Sequence, residues 1–229
     1  MDTSNQSDSQ PEALEQATNE AMLSAIEARI LGALMEKQLT TPDAYPLTLN
    51  SLVVACNQKT SREPVMSLEE GEVQRCLYQL QDRKLVEFDY GARADKFDQR
   101  LSRTLHFNDA EHAIFCLMLL RGPQTVNELL SRSRRMYEFE NSNEVEVLLT
   151  KLQNKLKPLL VQLPQQPGQR EARYMHKLCG EPEVAAISSS LSSNSRSSTL
   201  VSDSTTDDLV ARVEELEKQM AILLEQVKL

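Results

Sequence analysis

Leu23, Ile26, Ile30 and Leu34 recur at three- and four-residue intervals, the spacing of one helix face, and this reading turns Glu27 and Arg29 outward. Pro42 and Pro46 break the chain, and Thr48 stands where it can cap a second helix carrying Leu49, Leu52, Val53 and Cys56. After a polar loop over 57–66, Ser67 with Glu70 reads as a capping box opening a third helix, whose apolar stripe is Val73, Cys76, Leu77 and Leu80. Val86, Phe88 and Tyr90 then alternate with Glu87 and Asp89, the signature of a half-buried strand, and Gly91 opens a turn.

The chain then repeats this plan. Pro46-Leu47-Thr48-Leu49-Asn50-Ser51-Leu52 is echoed by Pro123-Gln124-Thr125-Val126-Asn127-Glu128-Leu129, and the run 72–81 is echoed by 144–153. Two matches in the same order make an internal repeat, which takes precedence over local signals in fixing architecture. In the second copy, 114–120 reads as a helix ended by Arg121-Gly122-Pro123, and Thr125 with Glu128 forms a capping box. A third helix over about 143–156 stops at Pro158, a strand follows over 159–163, and 164–168 turns. Ala172, Tyr174 and Leu178 line the return strand. Three helices and a hairpin, twice, predict a mainly α fold with small β-hairpin wings: tandem winged helix-turn-helix domains over 22–107 and 108–180.

The flanks are different. Residues 1–21 carry five acids and no base and have little to bury, so they are expected to be a disordered acidic tail. Residues 181–206 read as a serine-rich linker. Over 207–229, Leu209, Val213, Leu216, Met220, Leu223 and Val227 follow a 4-3-4-3-4 spacing, a heptad seam that suits a parallel coiled-coil dimer or an amphipathic helix docked on its own chain.

Charge changes meaning once it is placed along the chain. The net charge of −9 argues against a nucleic-acid partner. However, 22–107 carries 11 bases against 12 acids and 108–180 carries 10 against 8, so the acidity belongs to the tails. Cys56, Cys76, Cys116 and Cys179 form no C-x-x-C pair and no disulfide framework, and the first three read as small core residues. With no leader-like N-terminus and no apolar stretch long enough for a membrane span, the expectation is a cytoplasmic protein.

No phosphate loop, nucleophile elbow or metal-spaced histidine pair appears, and His106, His112 and His176 read as structural. The expectation is therefore a non-enzyme without cofactor or metal. In a winged helix the third helix enters the major groove. On the first copy its outer side offers Gln74, Arg75 and Tyr78, and Gln and Arg can read base edges with paired hydrogen bonds. Lys59 and Arg62 precede that helix. In the second copy Arg132, Arg134 and Arg135 precede the third helix, Lys151 and Lys155 lie on it, and Arg170 and Arg173 sit on the wing. These twelve residues form the candidate surface for double-stranded DNA, with a solvated charged face as the plain alternative. Glu69, Glu70 and Glu72 at the start of the first recognition helix oppose phosphate, although they also suit the helix dipole. A protein–protein adaptor is the rival function, and a homodimer is expected in either case.

The run Glu36-Lys37-Gln38-Leu39-Thr40-Thr41-Pro42-Asp43-Ala44-Tyr45-Pro46, then Asn57-Gln58-Lys59 and Ser61-Arg62-Glu63-Pro64-Val65-Met66, resembles the bacterial YceH family. So do Leu120-Arg121-Gly122-Pro123-Gln124-Thr125 and Gly168-Gln169-Arg170-Glu171-Ala172-Arg173-Tyr174. The likeness covers about 23–180 and implies paired winged helices in a bacterial cytoplasmic protein, without implying an activity. The polar 36–66 segment is expected either to join the two repeats by hydrogen bonds or to dock a protein.

Overall fold

The computed structural model describes residues 22–91, 94–165 and 169–181. The acidic tail 1–21, the linker from 182 onward and the heptad segment 207–229 lie outside the described residues. Among the described residues the chain is mainly helical, with two small antiparallel sheets. None of its helices there is long and apolar enough to cross a membrane.

The first repeat comprises α1 (Ala25–Thr40), β1 (Leu47–Thr48), α2 (Leu49–Cys56), α3 (Glu70–Asp82), β2 (Val86–Asp89) and β3 (Lys96–Gln99). A short α4 (Leu101–Thr104) leads to α5 (Asp109–Arg121), α6 (Val126–Ser133), α7 (Ser142–Gln153), β4 (Leu160–Leu163) and β5 (Arg173–His176). Local chemistry explains most boundaries. Thr48 accepts from the Ser51 amide at the start of α2, and Thr125 with Glu128 closes the capping box of α6. Asn108 with Glu111 does the same for α5, which therefore begins five residues before the apolar run that announces it.

The start of α3 corrects the expectation of a Ser67–Glu70 box, because the box is formed by Glu69 and Glu72. Asn57 is the reason. Its side-chain amide donates to the Leu68 carbonyl at 2.9 Å and its carbonyl accepts from the Leu68 amide at 2.8 Å, which holds that backbone out of the helix.

The repeats match in their sheets as well. In the first, Leu47 of β1 pairs with Phe97 of β3, and the strand order is β1-β3-β2. In the second, Gln124 takes the place of β1 as a single antiparallel bridge to Tyr174 of β5. Both residues directly follow the proline of the repeated motif.

One hydrophobic core runs through both repeats, and α1 packs on α5 at its centre. Gly32 permits the close approach: a Cβ there would stand 3.0 Å from the Leu119 Cβ. Both helices are buried on every side over most of their length. The outward placement of Glu27 and Arg29 is therefore overturned, since they are 6% and 2% exposed. Arg83 pairs with Glu27 at 3.1 Å, and Arg29 donates to the Cys56 carbonyl at 3.1 Å and the Pro64 carbonyl at 2.6 Å. Cys56 and Cys116 are buried, Cys76 is half-buried, and burial pushes all three thiols above their usual range.

Candidate functional site

The loop between α2 and α3 is built from two buried arginines. Arg29 holds it at Pro64. Arg62 donates through Nε to the Ala55 carbonyl at 3.0 Å, and through Nη1 and Nη2 to the Glu36 carboxylate at 3.2 and 2.6 Å. The Glu63 amide then donates to the Leu120 carbonyl at 2.8 Å, tying this loop to α5 of the second repeat. The polar 36–66 segment thus contributes to the joint between repeats. Ser61 adopts the left-handed backbone (φ 63°) at the turn into Arg62, and Lys59 and Thr60 remain exposed.

Several candidate cations are engaged inside the molecule. Arg62 is 5% exposed and cannot meet a phosphate backbone, which corrects its place in the candidate surface. Arg173 pairs with Glu128 at 2.8 Å and donates to the Pro123 carbonyl at 2.9 Å, and so fastens the second hairpin to α6. Arg132 shares Glu128 at 3.4 Å and donates to the Gln124 side chain. Lys155 and Lys151 lie 3.3 and 3.7 Å from Glu111, a carboxylate at the foot of α5 that is almost fully buried, although Lys151 itself stays exposed. These contacts span from 4 to 50 positions along the chain, and only the Arg132–Glu128 pair has a helical spacing that is visible in sequence.

Other candidates are exposed. Gln74, Arg75 and Tyr78 lie on the outer side of α3, opposite the buried Val73, Leu77 and Leu80. Tyr78, half exposed, stands 5.5 Å from Phe88, which is 6.1 Å from Tyr90 and 4.8 Å from Phe97 (ring centroids). Arg134, Arg135 and Arg170 are also exposed. Among the described residues, Arg75, Arg103, Arg134, Arg135 and Arg170 are the exposed arginines that form no ion pair.

The structure brings together a group that the sequence does not. Lys59, from the loop of the first repeat, and Arg135, from the corresponding loop of the second, line one cleft of about 380 Å³ with Lys37 at the end of α1. Its remaining walls are polar, from Glu36, Gln58 and the hydroxyl residues 40, 41, 60 and 61. Burial alone would raise the Glu36 carboxyl, but the hydrogen bonds and charge of Arg62, with Lys37 beside it, hold it below the usual carboxylate range. Glu36 is therefore ionised and already paired. Arg121, half-buried, has its pKa lowered by burial and then by the cations Arg132 and Arg62, against the opposing pull of Glu36 and Glu63. The traceable signal for Lys37 and Gln58 was their place in the polar runs of the 36–66 segment.

The geometry defines a two-repeat helical protein with its joint and its cleft built from those runs. It matches the family described as "Protein of unknown function, DUF480" over residues 23–169. A UPF0502 protein of Cellvibrio japonicus is 53% identical over 206 residues, covering 90% of this chain and 93% of that one. A UPF0502 protein of Azotobacter vinelandii is 54% identical over 154 residues (67% and 68% of the two chains), and one from Stenotrophomonas maltophilia is 43% identical over 206 residues (90% and 93%). The chain belongs to this bacterial family, in agreement with the resemblance of its motif runs.

Proposed function

We propose that the protein binds double-stranded DNA through paired winged-helix units and acts, without catalysis, as a regulator or nucleoid-associated factor. The observation that carries this reading is the outer side of α3, where Gln74, Arg75 and Tyr78 are exposed and Arg75 has no carboxylate partner among the described residues. In a winged helix this is the side offered to the major groove. The pairing of Leu47 with Phe97, and of Gln124 with Tyr174, supports that topology for both repeats. Arg134 and Arg170, exposed on the second repeat, suit phosphate contacts, which add affinity without sequence preference.

The variants that test the reading separate the two kinds of contact. Arg134→Glu with Arg170→Glu weakens binding to every duplex alike and reduces the salt slope by roughly 2, about one unit per lost phosphate contact. Arg75→Ala instead relaxes preference among duplex sequences. Unchanged affinity in both variants contradicts this surface.

A second reading, a protein–protein adaptor, is favoured by the aromatic patch. Tyr78 and Tyr90 are 52% and 71% exposed around Phe88, and such residues are enriched at interfaces. A Tyr78→Ala, Tyr90→Ala variant that keeps its DNA affinity but loses a captured protein partner favours the adaptor.

A further inference from the structure

We infer that the cleft at the junction of the repeats is a binding site for a small phosphate-bearing ligand, held by Lys37, Lys59 and Arg135. This goes beyond DNA binding and does not depend on it. The volume of about 380 Å³ falls within the range of small-molecule sites. Among the described residues no aliphatic or aromatic side chain lines the cleft, which suits a polar occupant over a hydrophobic one.

Charge selects an anion. Glu36 is the acidic residue in the lining, and Arg62 takes both of its oxygens from behind at 3.2 and 2.6 Å. Lys37 also lies 3.4 Å from that carboxylate, while Lys59 and Arg135 form no ion pair among the described residues, and the lining carries three positive charges against one negative. The end of α1 would ordinarily repel an anion through its free carbonyls. The Thr40 and Thr41 hydroxyls donate back to the Glu36 and Lys37 carbonyls at 2.8 and 3.1 Å, so the cations of the cleft have to outweigh this field. Gln58, Thr60 and Ser61 remain as neutral donors beside the cations. An ammonium pair, a guanidinium fork and neutral donors around one concavity suit a phosphate group, and the adjoining hydroxyl and amide groups suit a polar remainder.

The position also has a consequence. Arg135 comes from the second repeat and the other cations from the first, so an occupant bridges both. A phosphate held there joins the loop before α3 to the loop before α7.

The test is amide-resolved NMR of the full chain in phosphate-free buffer at constant ionic strength. The probes are inorganic phosphate, glycerol phosphate, glycerol and a mixed-sequence duplex. The expected result is a saturable shift at Lys37, Lys59, Ser61 and Arg135 with both phosphate compounds and none with glycerol. Lys59→Glu with Arg135→Glu then weakens glycerol phosphate by about tenfold or more, with an unchanged melting temperature. Shifts that never saturate, or that spread evenly over exposed lysines, overturn the inference. Shifts at the cleft with duplex alone also overturn it and assign the cleft to the DNA backbone. Saturable glycerol phosphate binding with no duplex binding leaves the cleft standing and removes the DNA reading instead.

Discussion

Arg62 sets both terminal nitrogens of its guanidinium on the carboxylate of Glu36, 26 positions earlier, and is itself 5% exposed. The pair stands between the end of α1 and the loop that reaches α5, so it supports the joint and neutralises the back of the cleft. Arg62→Ala leaves Glu36 without its principal partner and the Ala55 carbonyl without its donor. The expected loss is about 3 kcal/mol, read from urea unfolding. Arg62→Lys recovers only part of it, because an ammonium cannot make the same fork.

Acid should remove the same contribution. The folded Glu36 carboxyl lies below its ordinary value of 4.5, so the unfolded chain takes up this proton first. Its stabilisation is complete above about pH 4.5 and declines as pH falls below that value. Arg62→Ala flattens this part of the stability–pH curve.

His176 acts in a higher window. It is 3% exposed on β5, and burial lowers its pKa from 6.5 to about 4. The unfolded chain binds the proton near pH 6.5 while the folded imidazole resists it, so stability falls as pH drops from about 6.5 towards 4, by roughly 3 kcal/mol at most. Denaturant midpoints across this window give the slope, and His176→Leu removes it. A slope that persists in the variant contradicts the assignment.

Gly32→Val places two methyl groups where even a single Cβ would be 3.0 Å from Leu119 and Leu120. Overpacking of this kind costs about 2 kcal/mol. Because one core runs through both repeats, the loss should lower a single unfolding transition, with fluorescence and circular dichroism midpoints that coincide. A variant in which only half the signal shifts contradicts a shared core.

Much of the helical framework was legible because it rests on short-range chemistry. Thr48 and Thr125 cap helices from within four residues, and the repeated motif carries the same proline-to-sheet geometry at Leu47 and Gln124. Burial of charge was not legible. Glu27 and Arg29 looked solvent-facing because their partners, Arg83 and the Cys56 and Pro64 carbonyls, lie 27 to 56 positions away. The same blindness placed Arg62 on a binding surface and hid the Glu128 partner of Arg173. The meeting of Lys59 with Arg135 depends on how the repeats pack, which local patterns do not encode.

Self-association through the heptad segment is a separate proposal. Deleting 207–229 should halve the mass measured by light scattering. An unchanged mass assigns any dimer to another part of the chain.

The central claim is contact with duplex DNA, and the most direct test is fluorescence anisotropy of a mixed-sequence duplex at about 50 and 200 mM salt. The account predicts micromolar or tighter binding at the lower salt that weakens steeply at the higher one, as expected when lysines and arginines displace counterions from phosphates. No binding at the lower salt contradicts it.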